Sequence, residues 1–321
     1  MIRDPDIDLT PLRGQTVAIV GFGNQGRAQA LNLRDTGISV RIGLRESSAR
    51  RIEAQSYDLA VMPPAEAAAG ANLIMLLAPD EQLAAVYDQV EPALMPGAAL
   101  GFSHGLAIHF GLIRPRPDLA VIMVAPKGPG SALRSLYEAG RGMVALAAVA
   151  HDSSGTAWPL TLAYASAIGC GRAGVIASSF EEECVADLFN EQAVVWGGVP
   201  ALLQAGFETL VGAGYKPEVA YLECVSELKL IAELIEARGM AGMAEAISNT
   251  AELGALLGGP RIVDESVHAR MRTILREVRD GVFAEALGEE AAADYPRLRQ
   301  ARLKARSGVL ERTRERLLGP G

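Results

Sequence analysis

The spacing of apolar residues changes once along the chain, near residue 180. Before that point, short apolar runs alternate with amphipathic stretches. Thr16–Val20, Ser39–Leu44, Leu73–Leu77, Ala98–Phe102, Val121–Val124 and Met143–Ala150 are the runs. Their length and β-branched content predict strands. Between them, Arg27–Arg34 and Asp80–Leu94 place apolar residues at helical spacing, the second through Leu83, Val86, Val90 and Leu94. Strand and helix in alternation predict a mainly parallel, doubly wound sheet, with ligands at the carboxyl ends of its strands.

After about Ser179 the alternation stops. Helical patterns follow almost without interruption: Glu181–Trp196, Pro200–Ala213, Pro217–Arg238, Met240–Leu257 and Asp264–Glu285. Gly197-Gly198, Gly212-Ala213-Gly214 and Gly258-Gly259-Pro260 punctuate them. The fold expected is an α/β Rossmann-like domain over residues 1–180 and an all-α domain over 181–321.

Composition narrows the picture. The chain has 321 residues, 50% hydrophobic and 21% charged, which is globular. Its net charge of −8 argues against a nucleic-acid partner. The Arg-rich stretch from Arg297 to Arg316 reads as a solvated amphipathic helix or frayed end. Three cysteines without a CxxC pair suit a reduced, cytoplasmic protein. The acidic, polar start from Met1 to Asp6 resembles no signal or transit peptide. No apolar run is expected to reach the length of a membrane span, and Met143–Ala150 is the longest.

The first chemistry lies at Gly21-Phe22-Gly23-Asn24-Gln25-Gly26, directly after a predicted strand and before a helix. In that context the motif predicts a dinucleotide site. Gly21 permits the tight turn, Gly23 lets backbone approach a pyrophosphate, and Gly26 lets helix and strand pack closely. Asn24 and Gln25 belong to the same turn, whose alternative is a glycine-rich turn without a ligand. No acid ends the second strand to hold ribose hydroxyls. Arg45, Ser48 and Arg50 follow instead, and guanidinium and hydroxyl groups suit a 2′-phosphate, hence NADPH. The alternative is that Arg50 and Arg51 merely decorate the next helix. His104 and Lys127 fall at predicted strand ends, where either a site or a surface role is open.

The second chemistry is a repeated pair of carboxylates at helical spacing, Asp187 with Glu191 and Glu223 with Glu227. Residues four apart share a helix face. Two solvated acidic faces are one reading. The other follows from the flanking apolar residues: a carboxylate on an apolar stripe is costly unless paired or bound to metal. Oxygen-only donors suit Mg²⁺, and two such ions could clamp vicinal oxygens of one substrate between the domains. Ser248, in Ser248-Asn249-Thr250, interrupts a helical pattern and marks a site, a break or a cap.

Together these residues resemble ketol-acid reductoisomerase, also called acetohydroxy acid isomeroreductase, of the shorter class. The resemblance runs nearly end to end. It includes Gly21–Gly26, Ser103-His104-Gly105, Val124–Gly130, Asp187–Gln192, Ala205–Leu210, Glu223–Leu230 and Ile247–Glu252. It implies Mg²⁺-dependent alkyl migration in 2-acetolactate or 2-aceto-2-hydroxybutyrate, then NADPH reduction to a 2,3-dihydroxy acid, a step of isoleucine and valine biosynthesis. It also implies roles. Asp187 bridges two ions, Glu191 binds one, and Glu223 and Glu227 support the other. Ser248 holds the substrate carboxylate, Glu227 passes a proton, and His104 and Lys127 serve the polar network near the nicotinamide. A knotted helical domain, a homodimer or higher homo-oligomer, and sites built from both subunits are implied as well. The sequence departs from the family pattern at Arg27, Leu106-Ala107, Asn190, Trp196 and the closing residues from Ala305 to Arg316. Trp196 and Leu106 are the expected points of altered pocket shape. The competing readings are a paralogue with another 2-hydroxy-2-acyl or 2-keto acid, a metal-independent β-hydroxyacid or imine dehydrogenase, and a non-catalytic NADP-binding protein.

Overall fold

The structure, a computed structural model, describes residues 1–319. It contains two compact units, Met1–Ala186 and Asp187–Gly321. They part inside the helix Phe180–Phe189, whose first residue is the expected domain edge.

The first unit is one eight-stranded sheet in the order β3-β2-β1-β4-β5-β6-β7-β8. Its strands are β1 (Thr16–Val20), β2 (Ser39–Gly43), β3 (Ala60–Met62), β4 (Leu73–Leu76), β5 (Ala99–Phe102), β6 (Ala120–Pro126), β7 (Ala145–His151) and β8 (Val175–Ala177). All neighbours are parallel except β6 and β7. Leu73, Ile74, Met75, Ile122, Met123 and Val124 are fully buried, because helices cover both faces of the sheet. Two strands differ from expectation. β3 and β8 have three residues each and lie at the sheet's ends, where a short strand needs little apolar surface. Ile2 bridges antiparallel to Val175 and so covers part of the β8 edge.

The second unit is helical among the described residues. The break expected near residue 239 is present, as a single non-helical Gly239 with φ 70° inside the helix Leu228–Ala246. The helix expected over Met240–Leu257 is not. The chain leaves the helix at Ile247 and starts again at Asn249 with Ser248 as its N-cap. That second helix runs to Ile262 and carries Pro260 in its last turn, so Gly258-Gly259-Pro260 does not end it.

The long helices before this point are interrupted in a way composition does not reveal. Glu181–Trp196 is an α-helix to Phe189 and then a π-helical turn over Asn190–Val194. Pro217–Arg238 is a short helix over Pro217–Tyr221, a π turn over Leu222–Ser226, and then α-helix. A π turn inserts one residue into the hydrogen-bond ladder and recurs at functional sites.

By length and composition alone, the helical run Phe180–Gly212 is long and apolar enough to cross a bilayer, with mean hydropathy 1.3 over its best window. It holds no uninterrupted apolar stretch of that length, because Glu191, Gln192, Gln204 and Glu208 divide it. The unit's own core is small. Phe207, Ala220 and Tyr221 are buried with Leu210, Val211 and Leu310 against them.

Candidate functional site

The turn after β1 is built by close approach. Gly21 has φ 110°, and a Cβ there would lie 2.5 Å from the Leu77 carbonyl oxygen. A Cβ on Gly26 would lie 2.4 Å from the Gly21 carbonyl oxygen, which lets helix α1 (Asn24–Asp35) pack onto the turn. Gly23 is different: a Cβ there meets no protein atom within 4 Å. Its freedom faces a cavity of about 600 Å³ lined by Gly21–Asn24, Leu44, Arg45, Ser48, Arg50, Leu77 and Glu81 among others. The cavity sits at the carboxyl ends of β1, β2 and β4, where the strand order reverses. This is the switch point at which doubly wound sheets bind ligands, and the α1 N-terminus there suits a pyrophosphate.

The structure sorts the expected cofactor residues. Gly21, Gly23, Asn24, Arg45, Ser48 and Arg50 line the cavity. Gly26 is buried beneath the turn. Gln25 turns away, and its Nε2 donates to the Gly128 carbonyl at 2.8 Å. Asn24 does double duty, since its Oδ1 also accepts from the Ser131 N–H at 2.9 Å. Both therefore tie the glycine-rich turn to the segment after β6, Gln25 to its loop and Asn24 to the first turn of the helix Gly130–Glu138. Arg51 donates to the Leu44 carbonyl at 2.8 Å and so braces the loop that carries Arg45.

His104 and Lys127, at the ends of β5 and β6, are brought together by a residue the sequence did not single out. Glu183 is 1% exposed. Its Oε2 pairs with His104 Nδ1 at 2.8 Å and accepts from the Gly105 N–H at 2.7 Å. Its Oε1 accepts from Lys127 Nζ at 3.1 Å. Burial pushes the Glu183 carboxyl up, but His104, Lys127 and the Gly105 N–H outweigh it, and the net displacement is downward. The carboxylate is thus held ionised between the His104 imidazole and the Lys127 ammonium. The fit is close: a Cβ on Gly105 would lie 2.2 Å from the Phe180 carbonyl oxygen, so the loop rests directly on the helix that carries Glu183. Behind it, Gln29 Nε2 donates to Ser103 Oγ at 2.9 Å, and Tyr164 Oη donates to Gln29 Oε1 at 2.7 Å. Leu106 is 2% exposed and packs inward, so it does not shape an open pocket.

In the second unit, Asp187 is half-buried one turn after Glu183 along the same helix, while Glu191, Glu223 and Glu227 are exposed. The first pair straddles the entry to one π turn, which Val195 N–H closes onto the Asn190 carbonyl at 3.0 Å. The second straddles the exit of the other. The donor set is oxygen-only and hard, which fits Mg²⁺. Among the described residues, no three of these four carboxylates gather within one chain. Ser248 is exposed, and its Oγ accepts from the Ala251 N–H at 3.2 Å. Trp196, just after the first π turn, is 66% exposed.

Residues 11–174 match the family model for the NADPH-binding domain of acetohydroxy acid isomeroreductase, and residues 180–319 match that for the C-terminal domain of ketol-acid reductoisomerase. The chain belongs to the ketol-acid reductoisomerase family. A ketol-acid reductoisomerase (NADP(+)) of Kineococcus radiotolerans is 48% identical over 98% of this chain and 92% of its own length. The structure of an NADH-preferring ketol-acid reductoisomerase from an uncultured archaeon superposes with a TM-score of 0.95 at 40% identity, covering 98% of this chain and 97% of that one. Pyrroline carboxylate reductase of Plasmodium falciparum is 13% identical, covers 86% of this chain and 99% of that one, and has a TM-score of 0.54. That last likeness shows the fold alone. In ketol-acid reductoisomerase terms, the first unit is the NADPH-binding domain and the second is the family's own helical domain.

Proposed function

We propose that this chain catalyses the family's reaction on 2-acetolactate and 2-aceto-2-hydroxybutyrate: alkyl migration, then NADPH reduction to the 2,3-dihydroxy acid, within branched-chain amino-acid biosynthesis. The observation that carries this reading is the match of both family domains, in order, over nearly the whole chain. The cavity at the switch point supports the cofactor assignment. Gly23 receives the pyrophosphate, and Arg45, Ser48 and Arg50 face the 2′-phosphate.

Asp187, Glu191, Glu223 and Glu227 hold two Mg²⁺ ions in this reading. Bound there, the ions supply Lewis-acid polarisation of the substrate's hydroxyl and keto oxygens. Glu227 takes the hydroxyl proton. Ser248 orients the substrate: its oxygen accepts the Ala251 N–H, which leaves its O–H to donate to the carboxylate at a helix N-terminus that also favours an anion. His104 and Lys127, fixed by Glu183, hold protons beside the nicotinamide. The scatter of the four carboxylates in one chain supports a site that two subunits complete, with the chain acting as a homodimer or larger homo-oligomer. Exposed Leu222, Leu230, Leu256, Leu257 and Ile262 support the same assembly, and Val194, Val195 and Leu202, exposed within the run Phe180–Gly212, then serve as subunit surface. Three thiols without a disulfide suit a cytoplasmic location.

Asp187→Asn tests the metal assignment. It should abolish both consumption of 2-acetolactate and reduction of the migrated 2-keto acid, with NADPH binding by fluorescence titration unchanged. Retained isomerase activity overturns the bridging role. Loss of NADPH binding overturns the separation of cofactor and metal residues.

A further inference from the structure

Beside the dinucleotide cavity lies a smaller one of about 180 Å³, lined by Phe22, Gly23, Asn24, Arg27, Arg50 and Glu53. The two share Phe22, Gly23, Asn24 and Arg50. Glu53, on the helix α2 (Arg50–Gln55), divides its carboxylate between two elements. Oε1 accepts from Arg27 Nη1 at 2.9 Å, and Oε2 accepts from Arg50 Nη1 at 2.7 Å. Arg27 belongs to the first turns of α1 and Arg50 to the start of α2. Without the carboxylate, two guanidinium groups would face each other at the mouth of a site that binds phosphate. With it, three charges sum to one positive charge.

We infer that Glu53 sets this chain's preference between NADPH and NADH: its carboxylate, shared by Arg27 and Arg50, offsets part of the positive charge facing the 2′-phosphate. This rests on the assignment of Arg45, Ser48 and Arg50 to the 2′-phosphate end. The Arg50 side chain is 61% exposed and is bonded to Glu53 through Nη1, so Nε and Nη2 can turn to a phosphate. A phosphate there meets Arg50 and, behind it, a carboxylate of its own sign. The repulsion acts on the 2′-phosphate of NADPH and has no counterpart on the 2′-hydroxyl of NADH. Glu53 thereby narrows the margin that the arginines create, and it also keeps Arg27 and Arg50 side by side. It touches neither cofactor, so it acts through the arginines as a specificity-determining neighbour.

The test is a titration of full-length protein with NADPH and with NADH, followed by fluorescence. Glu53→Gln keeps an acceptor oxygen and removes the charge. Its NADH-to-NADPH ratio of Kd should rise about three- to tenfold over wild type, the size of one screened charge at this range. The rise should shrink in 0.5 M salt. Glu53→Asp, which restores the charge, should return the ratio toward wild type. An unchanged ratio in Glu53→Gln, or a shift toward NADH, overturns the inference. The double variant Arg45→Ala/Arg50→Ala separates this from the underlying assignment. If it weakens both cofactors equally, the 2′-phosphate site itself is wrongly placed. If it weakens NADPH selectively and Glu53→Gln does nothing, only the role of Glu53 falls. A melting curve for each variant confirms folding.

Discussion

Glu183 is a carboxylate at 1% exposure with three hydrogen-bonding partners, and its cost and its use have the same source. Burying the charge is unfavourable, and only the His104, Lys127 and Gly105 partners make it tolerable. Removing the charge takes an ionised acceptor away from Lys127 Nζ, His104 and the Gly105 N–H. Glu183→Gln should therefore lower stability by about 3 kcal/mol in urea unfolding at pH 7. The folded-state pKa lies below the ordinary 4.5, so this contribution is complete above pH 4.5 and disappears as pH falls through the folded value. The wild-type advantage over Glu183→Gln should thus shrink at pH 3.5; an equal gap at both pH values would contradict a buried ionised carboxylate. His104 and Lys127 were legible because each ends a strand at the ligand edge. Glu183 was not, because Glu181-Glu182-Glu183 reads as an acidic first helical turn, which the helix dipole alone would explain.

At the scale of elements, the turn between β1 and α1 separates two kinds of glycine. Gly21 is required by backbone, and Gly23 has room for a methyl group within the chain. Gly21→Ala should cost more than about 2 kcal/mol, as a side chain forced into a left-handed conformation against a carbonyl does. Gly23→Ala should leave the melting temperature unchanged and weaken NADPH at least about tenfold, because its Cβ occupies the space of the pyrophosphate. A drop in melting temperature for Gly23→Ala would show that the space is not reserved for a ligand. The strands other than β3 and β8 were readable from apolar runs, since a sheet buried on both faces needs them. The π turns were not readable. Both carboxylate pairs keep the four-residue spacing of an ordinary helix, and a change of hydrogen-bond register leaves no mark in composition. The Ser248 break was half readable: a Ser-Asn-Thr cluster is awkward in a helix, and the cap it forms is the reason for its composition.

Across the whole molecule, polar and apolar surfaces divide by unit. The first unit buries long runs of Leu, Ile, Val and Met, and the second leaves Leu230 at 60% and Leu256 at 69% exposure. In sedimentation equilibrium the protein should exceed the 33.8 kDa of one chain. Leu256→Asp with Leu257→Asp should shift it toward that mass and reduce turnover more than NADPH affinity. A monomer that is fully active would remove the argument for shared sites. An assembly of this kind is invisible to periodicity, because an apolar helix face looks the same whether its own chain or another covers it.

The hydrogen bonds from Gln25 to Gly128 and from Ser131 to Asn24 have a further consequence. They fasten the dinucleotide turn to the segment that carries Lys127, so the two should move together. Dinucleotide bound at Gly23 should damp motion of both and slow amide hydrogen exchange at Ser131, whose N–H bonds to Asn24. Lys127 should then be stiffened when the dinucleotide binds, even with no substrate present.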